Sequence, residues 1–428
     1  MIATVRRARR LEGEVKIPGD KSISHRALIL GSIATGQSLL RGLSPGADVQ
    51  STARCMQALG AVFDGVRLEG CGLRGLHRAA APLDCGNSGT TMRMLAGLLA
   101  AQDFESELIG DESLSRRPMD RVVKPLVEMG AAASWPPLRV GGKAPLHGVS
   151  YAMPVPSAQV KSAILIAGLF ADAPTSVVEP IKTRDHTEVM LLAMGASVEV
   201  AGLRVEVGPA TQLEPLDLDI PGDLSAAAFW LVAGGLVPGS RIKILGSGVN
   251  PTRTAFVALL RAAGFKIRET NKREVGGEQV ADLEVTTAAG LRSIQVNGGT
   301  AAEMIDELPV LAVAATQMPG RSVISGASEL RIKESNRIAA MQEGLAAMGA
   351  DITAVDDGWV INGPRFLEGA RVSSQGDHRV AMALAIAGLM ADGKTEIDGA
   401  ECVEISYPDF FDHLEYLWRA SGDQDGTY

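Results

Sequence analysis

Pro18-Gly-Asp-Lys-Ser-Ile-Ser-His-Arg26 runs into the apolar stretch Ala27-Leu-Ile-Leu30, and the same phrase returns five more times. The other copies open at Cys85-Gly-Asn-Ser-Gly-Thr-Thr-Met-Arg93, Pro156-Ser-Ala-Gln-Val-Lys161, Pro221-Gly-Asp-Leu-Ser225, Asn297-Gly-Gly-Thr-Ala301 and Gln375-Gly-Asp-His-Arg379. A turn, a capping side chain and an apolar run together read as a helix N-terminus. The starts lie roughly 65 to 78 residues apart, which is too long for a common solenoid repeat and suits a whole supersecondary unit.

Between starts the pattern is regular. A strand such as Gln37-Ser-Leu-Leu-Arg-Gly42 or Thr175-Ser-Val-Val-Glu179 follows the first helix. A second helix then ends in Met56-Gln-Ala-Leu-Gly-Ala61, Val127-Glu-Met-Gly-Ala131, Leu192-Ala-Met-Gly-Ala196, Leu260-Arg-Ala-Ala-Gly264 or Ala347-Met-Gly-Ala350. Glycine there predicts a left-handed C-cap, and alternating segments such as Ser197-Val-Glu-Val-Ala201 predict half-buried strands. The chain of 428 residues is too long for one ordinary core. An α/β protein of two domains is expected, with three repeats each, sheets outside and helices packed inward. Val237-Pro-Gly-Ser240 is the natural boundary, and the first strand, Met1 to Ile17, could pair with either half.

Composition removes several classes of function. Net charge is -9 and the isoelectric point is near 5.3, so no global basic field favours nucleic acid or an acidic membrane. The four cysteines, at 55, 71, 85 and 402, have neither disulfide-framework nor zinc spacing, and the six histidines are scattered. The basic start Met1–Arg10 lacks the apolar segment of a signal peptide, and no apolar run reaches membrane-span length. A reducing, cytoplasmic protein is expected.

The helix starts are electrically odd. The partial positive charge of a helix N-terminus disfavours bases, yet Lys21, Arg26, Arg93, Lys161 and Arg379 sit at or near such positions. Convergent helix starts carrying bases predict anion sites. Ser22 and backbone N–H groups would add donors beside Lys21 and Arg26. Gly86-Asn-Ser-Gly-Thr90 could form a backbone nest, and Ser115-Arg-Arg-Pro-Met119 places two arginines before a proline suited to the first helical turn. Arg331-Ile-Lys-Glu-Ser-Asn-Arg337 predicts Lys333 and Arg337 on one helical face, tolerable if an anion lies between them, with Glu334 as a proton carrier beside them. Glu303-Met-Ile-Asp306-Glu307 reads as ordinary acids before a helix. Neither a Walker A loop nor Gly-x-Gly-x-x-Gly is present, so nucleotide binding is disfavoured.

Taken together, Lys21-Ser-x-Ser-x-Arg26, Gly86-Asn-x-Gly-Thr90, Arg117-Pro118, Ser157-x-Gln159, Arg331-x-Lys-Glu-x-x-Arg337 and Asp377-His-Arg379 resemble the enolpyruvyl transferases, in the branch that acts on shikimate 3-phosphate. The resemblance spans nearly the whole chain. It implies a two-domain inside-out α/β barrel with three β-α-β-α-β-β units per domain, residues 20–237 forming one domain and residues 1–19 plus 238–428 the other, with the active site in the cleft between them. It implies shikimate 3-phosphate contacts from Lys21, Ser22, Arg26, Ser157, Ala158, Gln159, Arg184, Asp306 and Lys333. Phosphoenolpyruvate contacts would come from Lys21, Gly89, Arg117, Gln159, Arg337 and Arg379. Asp306 would be the general base, and Glu334 or Lys21 the proton donor. No cofactor and no metal are implied, the chain would act as a monomer, and glyphosate would bind beside Gly89. Two departures stand out: Glu401-Cys-Val-Glu-Ile-Ser-Tyr-Pro-Asp409 lacks a lysine found in some members, and Ala158 and Arg184 replace other shikimate-contacting groups. The branch that uses UDP-N-acetylglucosamine typically has Lys-Asn at the first motif and a loop cysteine; here Lys21-Ser22 and the cysteine-free Gly110–Arg117 stand instead. A non-catalytic anion-binding scaffold is the alternative from a different class.

Overall fold

The computed structural model describes residues 1–142 and 145–420. Two compact units divide the chain, one of Gly19–Ile220 with Glu274–Glu278, the other of Met1–Pro18, Pro221–Arg273 and Gln279–Tyr428. The chain changes unit between Ile220 and Pro221, not at residue 237. The reason is the helix Leu224–Leu236, whose residues are buried through Gly235 and pack in the hydrophobic core of the C-terminal half.

Within the Gly19–Ile220 unit three four-stranded sheets share one design. Asp217–Asp219 runs parallel to Thr35–Arg41, which is antiparallel to Arg67–Cys71, and Val62–Phe63 closes the hairpin. Leu83–Asp84, Ser106–Ile109, Leu138–Gly141 and Ala132–Ser134 repeat that order. So do Ser150–Ala152, Thr175–Val178, Arg204–Val207 and Val198–Ala201.

In the other unit the amino-terminal segment is two strands rather than one. Glu12–Val15 lies parallel to Arg241–Gly248 in one sheet, and Ile2–Arg6 lies antiparallel to Lys394–Asp398 in another. The latter sheet has three strands where the others described have four. Glu12–Val15 precedes the first helix but pairs in the unit that holds the fourth, and Asp217–Asp219 precedes the fourth helix but pairs in the unit that holds the first.

Each repeated phrase opens a helix as expected. We name them α1 (Lys21–Ser32), α2 (Gly89–Leu99), α3 (Ala158–Gly168), α4 (Leu224–Leu236), α5 (Leu308–Thr316) and α6 (His378–Gly388). Residues on every face are buried, from Ile23 to Ser32 in α1, polar Ser24, His25 and Arg26 among them, and from Leu308 to Thr316 in the apolar α5. The fifth repeat departs from the rest. Asn297 opens only the short helix Gly298–Glu303, and a turn over residues 304–307 separates it from α5. The second helices end on Gly60, Gly130, Gly195, Gly264 and Gly349, each with positive φ between 79° and 110°, a conformation open to glycine because it has no Cβ.

One base at a helix start belongs to the core and not to an anion site. Lys161 Nζ lies 2.9 Å from Glu179 Oε2 and 2.7 Å from Glu188 Oε1, and all three side chains are at most 3% exposed. Its charge is spent on these two acids. Lys161→Ala would leave buried carboxylates without their cation, and we expect a loss of about 3–5 kcal/mol of stability, measured as a shift in urea-unfolding midpoint; a shift worth under about 1 kcal/mol would show the triad to be dispensable.

Candidate active site

In the Gly19–Ile220 unit the starts of α1, α2 and α3 each present polar groups. Their capping side chains are Asp20, which accepts from Ile23 N at 2.9 Å, Ser88, from Thr91 N at 3.1 Å, and Ser157, from Val160 N at 3.3 Å. Lys21 Nζ meets Asp48 Oδ2 at 2.9 Å, so the first base carries its own counter-ion. Arg26 is 2% exposed. It donates from Nε to Thr187 Oγ1 (2.6 Å), from Nη2 to Ser162 Oγ (2.7 Å) and from Nη1 to the Ser22 carbonyl (2.8 Å). Burial lowers the Arg26 pKa to about 10 against the raising effect of Glu188, which still leaves it charged at neutral pH. Arg184 Nη1 donates to Ser22 Oγ at 3.2 Å, which brings Ser22, Arg26 and Arg184 into one cluster.

A second group surrounds the start of α2. Arg93 Nη1 donates to Gln159 Oε1 (2.7 Å), and Gln159 Nε2 donates to Thr90 Oγ1 (2.8 Å). Arg117 Nη2 donates to Asn87 Oδ1 (2.7 Å), and Asn87 in turn donates to Asp111 (2.6 Å). The Arg117 Nε is buried with no hydrogen-bond partner among the described residues. A buried donor of that kind is costly unless an acceptor meets it. Gly89 lies between the arginines: a Cβ there would come 2.8 Å from Arg93 Nη1 and 3.4 Å from Arg117 Nη1. Pro118 does not open a helix as expected; the helix begins at Asp120, and the turn before it carries Arg117.

In the other unit a cluster of charged side chains is built around Arg337. Lys333 and Arg337 do not share a helical face: the 3-10 turn Ser328–Ile332 ends before Lys333, and Arg337 is the first residue of the helix Arg337–Ala347, capped by Asn336. Arg337 is 1% exposed, with Nε 2.7 Å from Asp377 Oδ2, Nη2 2.5 Å from Glu334 Oε2 and Nη1 3.5 Å from Asp306 Oδ1. Burial pulls against its charge, but Asp377, Glu334 and Asp306 outweigh it and raise its pKa above the ordinary value. Asp377 also caps α6 by accepting from Arg379 N at 2.9 Å, and Arg379 Nε stands 3.9 Å from Asp306 Oδ1. Asp306 lies in the turn between the two helices of the fifth repeat, its side chain 17% exposed. Far from being an ordinary acid before a helix, it faces two arginines.

Sequence reasoning missed Asp48, Asp111, Ser162 and Thr187, which hold the charged groups in place with Asn87 of the quoted Gly86–Thr90 motif. Asp48 alone left a signal, as an acid in the first turn of a second helix. Ala158, the first residue of α3, brings no polar side chain to the site.

The sequence profile described as EPSP synthase (3-phosphoshikimate 1-carboxyvinyltransferase) matches residues 5–414. The chain belongs to the EPSP synthase family. A 3-phosphoshikimate 1-carboxyvinyltransferase of Gloeobacter violaceus is 50% identical over 420 residues, covering 95% of this chain and 96% of the relative. One from Desulforudis audaxviator is 48% identical over 421 residues, covering 96% and 98%. The solved EPSP synthase of Acinetobacter baumannii superposes with a TM-score of 0.87 at 38% identity, covering 97% of this chain and 98% of that one. This family member is an enzyme, a transferase of the enolpyruvyl (carboxyvinyl) group. Among the described residues no helix is long and apolar enough to cross a membrane, and no three or more His, Cys, Asp or Glu residues are grouped to hold a metal ion.

Lys333 gives this site a measurable signature. Loss of solvent lowers its pKa, Asp306 raises it, and Arg337 lowers it. We expect its ammonium to titrate below the ordinary lysine range when followed by side-chain NMR. Asp306→Asn removes the raising charge and should move it lower still; a rise would refute the coupling.

Proposed function

We propose that the two clusters act on one pair of anionic substrates, shikimate 3-phosphate and phosphoenolpyruvate, as a cytoplasmic monomer working in aromatic amino acid biosynthesis. Ser22, Arg26, Arg184, Ser157 and Gln159, with Lys333, bind the phosphorylated acceptor. Lys21, Arg117, Gln159, Arg337 and Arg379 bind the donor, and Gly89 leaves room for it. The observation that carries this reading is that Arg117 Nε in one unit and Arg337 Nη1 in the other are buried and make no hydrogen bond among the described residues. Such preset donors suit charged oxygens.

The chemistry is addition followed by elimination. The Asp306 carboxylate takes the proton of the acceptor's 5-hydroxyl as its oxygen attacks C2 of phosphoenolpyruvate, while C3 gains a proton. The tetrahedral adduct then loses a C3 proton and phosphate, which restores the vinyl group. Asp306 suits the role of base because Arg337, at 3.5 Å, and Arg379, at 3.9 Å, favour its ionised form. Of the two proton donors, the resting contacts favour Lys21. Lys21 Nζ donates to Asp48 Oδ2, so it already carries a proton aimed at an acceptor, whereas Glu334 Oε2 accepts from Arg337 Nη2.

Asp306→Ala should abolish phosphate release, a loss of at least about a hundredfold, while binding of shikimate 3-phosphate stays measurable by calorimetry. Glu334→Gln should retain incorporation of solvent deuterium at C3 where Lys21→Met loses it; full turnover by the Asp306 variant, or the reverse deuterium pattern, would sink these assignments. Turnover with UDP-N-acetylglucosamine and none with shikimate 3-phosphate would overturn the reading of the acceptor.

Glyphosate binding beside Gly89 follows from the same reading. The Cβ of Gly89→Ala would press on Arg93 and Arg117, so we expect weaker glyphosate inhibition together with a raised KM for phosphoenolpyruvate. Steady-state inhibition unchanged from the parent enzyme would remove Gly89 from the donor site.

A further inference from the structure

The two neighbouring acids of the turn before α5 are held by different arginines. Asp306 faces Arg337 and Arg379. Glu307, 2% exposed, accepts a hydrogen bond from Ser225 Oγ through Oε1, and the same oxygen lies 3.3 Å from Arg253 Nη2. Arg253 Nη2 also donates to Ser225 Oγ at 2.6 Å and stands 3.7 Å from Asp223 Oδ1. Asp223 in turn caps α4 at Ser225 N, 2.8 Å away. The fourth repeat start, which carries no base in its own phrase, therefore receives one from elsewhere.

Arg253 and Arg337 play matching parts. Arg253 lies just before the second helix of the fourth repeat, Ala255–Ala262, and Arg337 opens the second helix of the fifth. Each binds the N-cap acid of a core helix, Asp223 or Asp377, and one acid of the turn, Glu307 or Asp306. Exposure separates the two acids: Glu307 is 2% exposed and Asp306 17%, although both arginines are buried. Two adjacent carboxylates on a short turn could compete for Arg337. Sequestering Glu307 with Arg253 and Ser225 leaves the Nη1 of Arg337 to Asp306.

We infer that Glu307, locked by Arg253 and Ser225, is a positioning residue that fixes the 304–307 turn and so aims the Asp306 carboxylate. The inference rests on the reading of Asp306 as general base. A base displaced by about 1 Å can lose up to about a hundredfold in rate. Glu307→Gln should therefore lower kcat at least about tenfold while the KM values for both substrates stay within about threefold. Rates are to be normalised to the fraction of enzyme that binds shikimate 3-phosphate by calorimetry, so that a loss of folded protein is not counted. Glu307→Asp, which keeps the charge with a shorter reach, should recover part of the rate.

Should Glu307→Gln fail to fold, Ser225→Ala carries the test: it retains all three charges and should give a smaller fall in kcat with the same constant KM. A normalised kcat equal to the parent's in the folded variant, or a fall shared by kcat and affinity alike, overturns the inference. Asp306→Asn run in parallel separates the two claims. If it turns over normally, the base assignment fails and takes this inference with it; if it is inactive while Glu307→Gln is normal, only the positioning role falls.

Discussion

Carboxylates that neutralise bases at helix N-termini are the interactions on which this structure depends. A helix start is already positive, so a lysine or arginine set there and removed from water needs an acid close by. Asp48 answers Lys21, Glu179 and Glu188 answer Lys161, and Asp377 answers Arg337. Asp377 serves twice, as it also caps α6. Losing Asp377 would free a helix end and strand a buried cation together, so this contact stabilises the fold and sets the charge around Arg337 in one stroke.

The same repeated frame is put to two uses. Where the base is fully enclosed by acids, as with Lys161 and Arg253, it closes the core and offers nothing outward. Where neutral donors and acceptors do the enclosing, as around Arg26 with Ser22, Ser162 and Thr187, the cation is held by its hydrogen bonds to neutral groups while Glu188 and Asp20 act on it electrostatically. Arg117 is held in a similar manner by Asn87 and Ser113. Such cations keep more of their charge for an anion than Arg337 does, which shares its own among Asp377, Glu334 and Asp306.

Much of the fold could be read along the chain. The six capped starts, the apolar helices behind them and the glycine ends all follow from local chemistry, and each glycine end does adopt positive φ. Local reading went astray where pairing partners are remote. The segment Met1–Ile17 looked like one strand because its composition is continuous, yet its two halves join different sheets. The stretch Arg331–Arg337 looked helical from its charge spacing, but Asn336 caps a new helix there and breaks the run. Asp306 looked like an acid of the commonest kind, since its partners Arg337 and Arg379 come from segments well beyond it in the chain.

The amino-acid sequence by itself determined the α/β repeat, the inward helices, the family and the candidate anion-binding groups, because caps, periodicity and motif spacing are short-range properties. Only the tertiary structure decided which charges are free to work. It enclosed Lys161 and Arg253 with acids, placed Glu334 against Arg337, left Arg117 Nε without a partner and put Asp306 in a turn between two arginines. The reason is physical: the effective charge of a group depends on how much water it loses and on which opposite charges lie within a few ångströms, and both are set by residues far apart in the chain.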